Sequence, residues 1–213
     1  HGYTTWNSAT HEIPERVILK NNIFPTMFQL LRDAQPEAEI GCIYEWDGIK
    51  YVIDTLSTSY QEMVPPSKIY TDEMAKMSVK YIKEKKPVLG AFIFDNPDHV
   101  GHDAGHDTPA YYANLKELDG YIGQIIQATK DAGIYENCIF IVTSDHGGID
   151  HGHGGKTLEE INTPFIIAGK GVKKGGEFQE SMMQFDCAPT VLEIFGLEGP
   201  QVWVGRSMSQ VFE

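Results

Sequence analysis

An α/β fold with a largely parallel central sheet and helices on both faces is predicted by the alternation of two kinds of segment along the chain. Short, nearly continuous apolar runs, the pattern of strands buried on both faces, alternate with longer segments of helical periodicity. The second observation is continuity. No internal repeat, low-complexity tract or linker interrupts the pattern, so residues 1–213 are expected to form one domain. With 41% apolar and 22% charged residues, the composition supports a core of that size.

The elements follow in order. In FPTMFQLLRDA (24–34), Phe24, Met27, Phe28, Leu30 and Leu31 share one helical face, and Pro25 fits the first turn, where its missing N–H costs nothing. EIGCIYEW (39–46) is a strand. The pattern breaks around MVPPSK, before a second helix over 72–86 with an imperfect stripe of Met74, Met77, Val79, Tyr81 and Ile82, stopped by Pro87. VLGAFIFD (88–95) has the pattern of a strand buried on both faces. A long helix over 109–133 carries Leu115, Leu118, Ile122, Ile125 and Ile126. NCIFIVTSD and TPFIIAG (163–169) are further buried strands, and FDCAPTVLEIFG (185–196) is a short helix closed by Gly196.

Composition also excludes functions. A formal charge of −13 argues against a nucleic-acid backbone as partner, because phosphate binding needs a basic face. No apolar stretch reaches the ~18 residues that a membrane span requires. Cys42, Cys138 and Cys187 are odd in number and set in apolar surroundings, which suggests buried free thiols and leaves the redox compartment open.

The chemistry concentrates in two places. Six of the eight histidines (His99, His102, His106, His146, His151 and His153) lie in FIFDNPDHVGHDAGH and FIVTSDHGGIDHGHGG. Each cluster begins at the carboxyl end of a predicted buried strand, the edge where ligands bind in open α/β sheets. Asp and His donors without a nearby thiolate suit a divalent ion such as zinc or manganese. Asp98 and His102 are four residues apart and reach one ion across a helical turn. Asp145 and His146 can swing inward on the glycine-rich turn that follows them. A histidine-rich surface loop is the blander alternative, with Asp145 capping a turn and His99, His106 and His151 solvated or supporting. The pairing of the two clusters favours the metal site.

PDHVGH, TSDHGG, GHGGKTLEEINTPFIIAGKGVKKG and DCAPTVLEIFG followed by GRSM resemble the alkaline phosphatase superfamily, in particular type I phosphodiesterase/nucleotide pyrophosphatase enzymes and the sulfatase-like hydrolases beside them. The resemblance covers about residues 88–208. It implies an alkaline phosphatase-like domain and two divalent metal ions, commonly zinc. Asp98 and His102 match the first-metal pair, Asp145 and His146 the second-metal pair, and His153 the remaining ligand of the first metal, with His151 as competitor for that place. It implies hydrolysis of a small phosphate ester, with sulfate esters or non-catalytic metal binding as alternatives; a phosphomutase of the same superfamily is disfavoured. Superfamily members also use an early strand ending in a metal-binding Asp, then a Thr or Ser nucleophile heading a helix. Thr4, Thr5, Ser8 and Thr10 lack that context, so the nucleophile is expected upstream of His1. This chain is then the later part of the domain, inactive alone and prone to self-association through an uncovered edge. Export to the periplasm or medium is suggested by the resemblance alone.

Overall fold

The computed structural model describes residues 25–53, 55–64 and 71–213. The segment holding Thr4, Thr5, Ser8, Thr10 and Phe24, and most of the MVPPSK break, lie outside these residues. The core forms around strand β1 (Ile40–Tyr44), which pairs in parallel with β2 (Tyr60–Met63) on one side and β3 (Leu89–Ile93) on the other. Period-2 alternation gives β1 two apolar faces. Ile40, Cys42 and Tyr44 face α1 (Met27–Ala34) and pack with Phe28, Leu31, Ile49 and Ile53. Ile43 faces the other way, toward Met74 and Tyr81 of α2 (Thr71–Lys85). All five residues of β1 are buried.

Helix α1 starts at Met27, three residues after the beginning of the 24–34 stretch that carries the helical pattern. Thr26 is its N-cap, accepting a hydrogen bond from the Gln29 N–H at 3.1 Å, and Pro25 lies before the cap rather than in the first turn. Proline takes the first-turn position in α4 (Pro109–Asp131), behind the N-cap Thr108. Helix α4 packs on α2 through Ile82, Ile125 and Ala128, and Lys83 meets Asp131 at 2.7 Å across the same contact. The short helix α3 (Asp98–Ala104) lies between β3 and α4. Cys187–Ile194, the last α-helix here, docks beside α1, where Ala188, Leu192 and Trp203 form a cluster with Met27 and Leu30. Trp203 Nε1 donates to the Pro25 carbonyl at 3.1 Å.

Two expectations change. Strands β4 (Ile139–Thr143) and β5 (Phe165–Gly169) form a separate antiparallel pair, and β3, β4 and β5 are only partly buried. Apolar sequence shows what a strand could bury, whereas neighbours decide what it does bury. Among the described residues β3 is an edge strand, and Ile166 on β5 is 60% exposed. The cysteines are free as expected, but only Cys42 is fully buried; Cys138 and Cys187 are half-buried because they sit at element ends. Among the described residues no helix is long and apolar enough to cross a membrane.

This packing separates two classes of apolar residue. Leu31→Ala, at a site with no solvent exposure, is expected to cost about 2–5 kcal/mol in chemical denaturation. Ile166→Ala on the open face is expected to stay within about 0.5 kcal/mol of the parent.

Candidate metal centre

Strands β3 and β4 point their carboxyl ends at two loops, and those loops meet. Asp98 is the first residue of α3 and His102 lies one turn on, so both side chains share a face, with His102 Nε2 3.2 Å from Asp98 Oδ2. His153 arrives from the loop after β4, with Nε2 3.7 Å from Asp98 Oδ1. One donor atom from each of the three lies within 4.8 Å of the others. Ligands of a tetrahedral zinc at about 2.0–2.1 Å are roughly 3.4 Å apart. Small side-chain movements therefore close this set on one ion.

Backbone carbonyls of one loop hold the imidazoles of the other. His102 Nδ1 donates to the His151 carbonyl, and His151 Nδ1 donates back to the His102 carbonyl, both at 2.9 Å. His106, with its side chain only 6% exposed, donates from Nδ1 (3.0 Å) and from its backbone N–H (2.6 Å) to the Asp150 carbonyl. Its ring lies against Gly101 and Gly148, where a Cβ would overlap it. A carbonyl only accepts, so these bonds put a proton on Nδ1, which makes His102 Nε2, facing Asp98, the nitrogen available to a metal ion.

The donor set fits a cation. Asp98 Oδ1 is buried and accepts no hydrogen bond, although imidazole nitrogens of His106 and His153 stand 3.8 and 3.7 Å away. Burial, then the neighbouring His146, holds the His153 pKa below its ordinary value, which favours the neutral ring a metal requires.

Asp145 and His146 follow β4 directly. Asp145 Oδ1 accepts the His146 backbone N–H at 3.1 Å, its other oxygen lies 3.7 Å from His146 Nε2, and the His146 and His153 rings stack at 3.7 Å. Among the described residues no third Cys, His, Asp or Glu completes a cluster with this pair. His99 is directed instead at Asp103, 3.3 Å away.

Three carboxylates went unassigned from sequence. Glu45, at the end of β1, is buried and accepts the Asp95 N–H at 2.8 Å. Burial raises the pKa of both, and Asp95 also feels Asp98 and Asp145. The third, Glu160, accepts three hydrogen bonds within the His153 loop. Asp95 was visible in FIFDNPDH at a strand end; nothing local in the sequence marks Glu45 or Glu160.

An α/β fold with Asp and His loops at the carboxyl ends of β3 and β4 defines a member of the alkaline phosphatase superfamily, whose enzymes depend on metal ions. A family model for type I phosphodiesterase/nucleotide pyrophosphatase matches residues 23–183, and the chain belongs to that family. It is 29% identical to human ectonucleotide pyrophosphatase/phosphodiesterase family member 5 over 48% of this chain and 21% of that protein. It is likewise 29% identical to a 2,3-bisphosphoglycerate-independent phosphoglycerate mutase of Cyanothece sp. (strain PCC 7425), over 86% of this chain and 37% of the mutase. A solved 2-O GAG sulfatase shares the fold, with a TM-score of 0.66 at 16% identity, over 87% of this chain and 55% of that one. The chain thus spans well under half the length of these curated relatives.

Zinc binding by calorimetry is expected to disappear with Asp98→Ala and to weaken strongly with His102→Ala, while His99→Ala binds like the parent. The metal-free protein should also lose stability as pH falls below about 6.5, because unfolded His153 takes up a proton that the folded ring resists. Denaturation in EDTA from pH 7 to pH 5 reads that slope, and His153→Asn should flatten it.

Proposed function

We propose that this chain carries the metal centre of a hydrolase acting on small phosphate esters, of the phosphodiesterase/nucleotide pyrophosphatase type. The observation that carries this reading is the convergence of Asp98, His102 and His153 from two distant segments onto one point at the sheet's carboxyl edge. Family membership supports the same reaction class. In this reading Asp98, His102 and His153 hold one zinc ion, and Asp145 and His146 contribute to a second.

When bound, the ions would lower the pKa of a hydroxyl and of a water molecule and offset the charge of the phosphoryl group. The chain's own residues prepare for this. The loop-to-loop bonds fix the His102 ring, and the raised pKa values of Glu45 and Asp95 mark a site where further negative charge is unfavourable without a cation. In this reading the nucleophile is a Thr or Ser hydroxyl, as the resemblance to the superfamily implies. Its oxygen attacks phosphorus in line, the ester oxygen leaves as the alcohol, and water then hydrolyses the covalent phosphoryl intermediate. The same site would take a sulfate ester with a different nucleophile.

The 213-residue chain is therefore expected to bind zinc yet leave bis-p-nitrophenyl phosphate and p-nitrophenyl phosphate intact. A chain extended upstream should hydrolyse them, because nucleophile and metal ligands act as a unit. Zinc-dependent turnover by the 213-residue chain, abolished by Asp145→Ala, would place the nucleophile within it. The open β4–β5 face, with Ile166 exposed, should also make the 213-residue chain self-associate. Sedimentation showing a monomer at all concentrations would count against that.

A further inference from the structure

Glu160 ties together the two stretches of the loop after β4 that carry His146 and His153. It lies in the four-residue helix Leu158–Ile161, and only 8% of it is exposed. One carboxylate oxygen accepts the Gly155 N–H at 2.6 Å; the other accepts the Thr157 hydroxyl at 2.7 Å and the Thr157 N–H at 3.3 Å. Its backbone carbonyl accepts the Gly147 N–H at 2.8 Å. Gly155 lies two residues beyond His153, and Gly147 directly follows His146. One residue therefore grips both metal-loop segments, one with its side chain and the other with its backbone.

We propose that Glu160 is a positioning residue that sets His153 against Asp98 and His102, a role that rests on the metal-centre reading above. A capping box explains only part of the geometry. The box accounts for the bonds between Glu160 and Thr157. It does not account for the shortest bond, which reaches outside the helix to Gly155, nor for the carbonyl that holds Gly147. The chain at Gly155 passes so close to the carboxylate that a Cβ there would overlap it. These hydrogen bonds, Thr157 first, keep the Glu160 pKa below the usual carboxylate range. The ionised form is therefore the one that grips the loop.

The test uses the full 213-residue chain and reads zinc affinity by chelator competition, the cobalt(II) visible spectrum, and melting in EDTA. Residues that orient metal ligands typically contribute tenfold to hundredfold in affinity. Glu160→Ala is expected to weaken zinc by roughly that factor and to reduce the intense bands of four-coordinate cobalt. Glu160→Gln keeps an acceptor for Gly155 and should recover most of the affinity. Glu160→Asp, one methylene short of Gly155, should not, and it carries the test if the alanine variant fails to fold. Thr190→Val is the control. Thr190 is fully buried, donates to the Asp186 carbonyl at 2.7 Å and accepts the Met208 N–H at 3.0 Å, so its loss should lower the melting temperature with zinc affinity unchanged. Parent-like affinity in both Glu160→Ala and Glu160→Asp overturns the role, as does an equal loss in Thr190→Val. A parent chain that takes up no zinc overturns the metal centre itself, which distinguishes the two failures.

Discussion

The candidate centre depends on hydrogen bonds from imidazoles to backbone carbonyls across two loops. His102 and His151 exchange ring N–H groups for each other's carbonyls, and His106 adds two bonds to Asp150. These residues are 44–49 positions apart in the chain. Without the bonds, α3 and the glycine-rich loop would be independent surface segments, and Asp98 would have no reason to meet His153. The bonds also act chemically, because each places its proton on Nδ1 and leaves Nε2 as the donor atom. Orientation and chemistry thus come from the same contacts.

Electrostatics then sharpens the site. Glu45, Asp95, Asp98 and Asp145 gather at the carboxyl edge of a chain that already carries a formal charge of −13. Burial raises the cost of ionising Glu45 and Asp95, and the pKa of Asp95 rises further because Asp98 and Asp145 are its neighbours. Carboxylates held together against repulsion are unfavourable unless a cation or a proton compensates them. A buried Asp98 oxygen without a hydrogen-bond donor follows the same logic. Burial, then the neighbouring His146, holds the pKa of the adjacent His153 ring below its ordinary value.

The framework that presents these loops is uneven. β1 is covered on both faces by α1 and α2, whereas β3 is an edge strand and the β4–β5 pair leaves an apolar face open among the described residues. The site hangs between a well-packed three-stranded sheet and this lightly covered ribbon. The curated relatives are much longer than the part this chain matches, with aligned shares of 37% or less of their length.

Much of this was legible in the sequence, for identifiable reasons. Apolar runs and helical periodicity mark elements because they report local side-chain patterning, so α2, α4, β1, β3, β4 and β5 lie close to where the pattern places them. Asp98 and His102 could be paired because a four-residue spacing on a helix is itself a geometric statement. The choice between His151 and His153 was not local: both precede glycine, and only the folded loop turns His153 toward Asp98 while His151 faces a carbonyl. Strand order was equally hidden. VLGAFIFD is as apolar as a central strand, yet the doubly buried position belongs to β1, because it depends on which strands pair with it. By itself the sequence determined the type of element and the kind of donor atom, since both are properties of neighbouring residues. Tertiary structure alone decided which donors meet and which strand is covered, since those are contacts between segments whose separation along the chain carries no distance information.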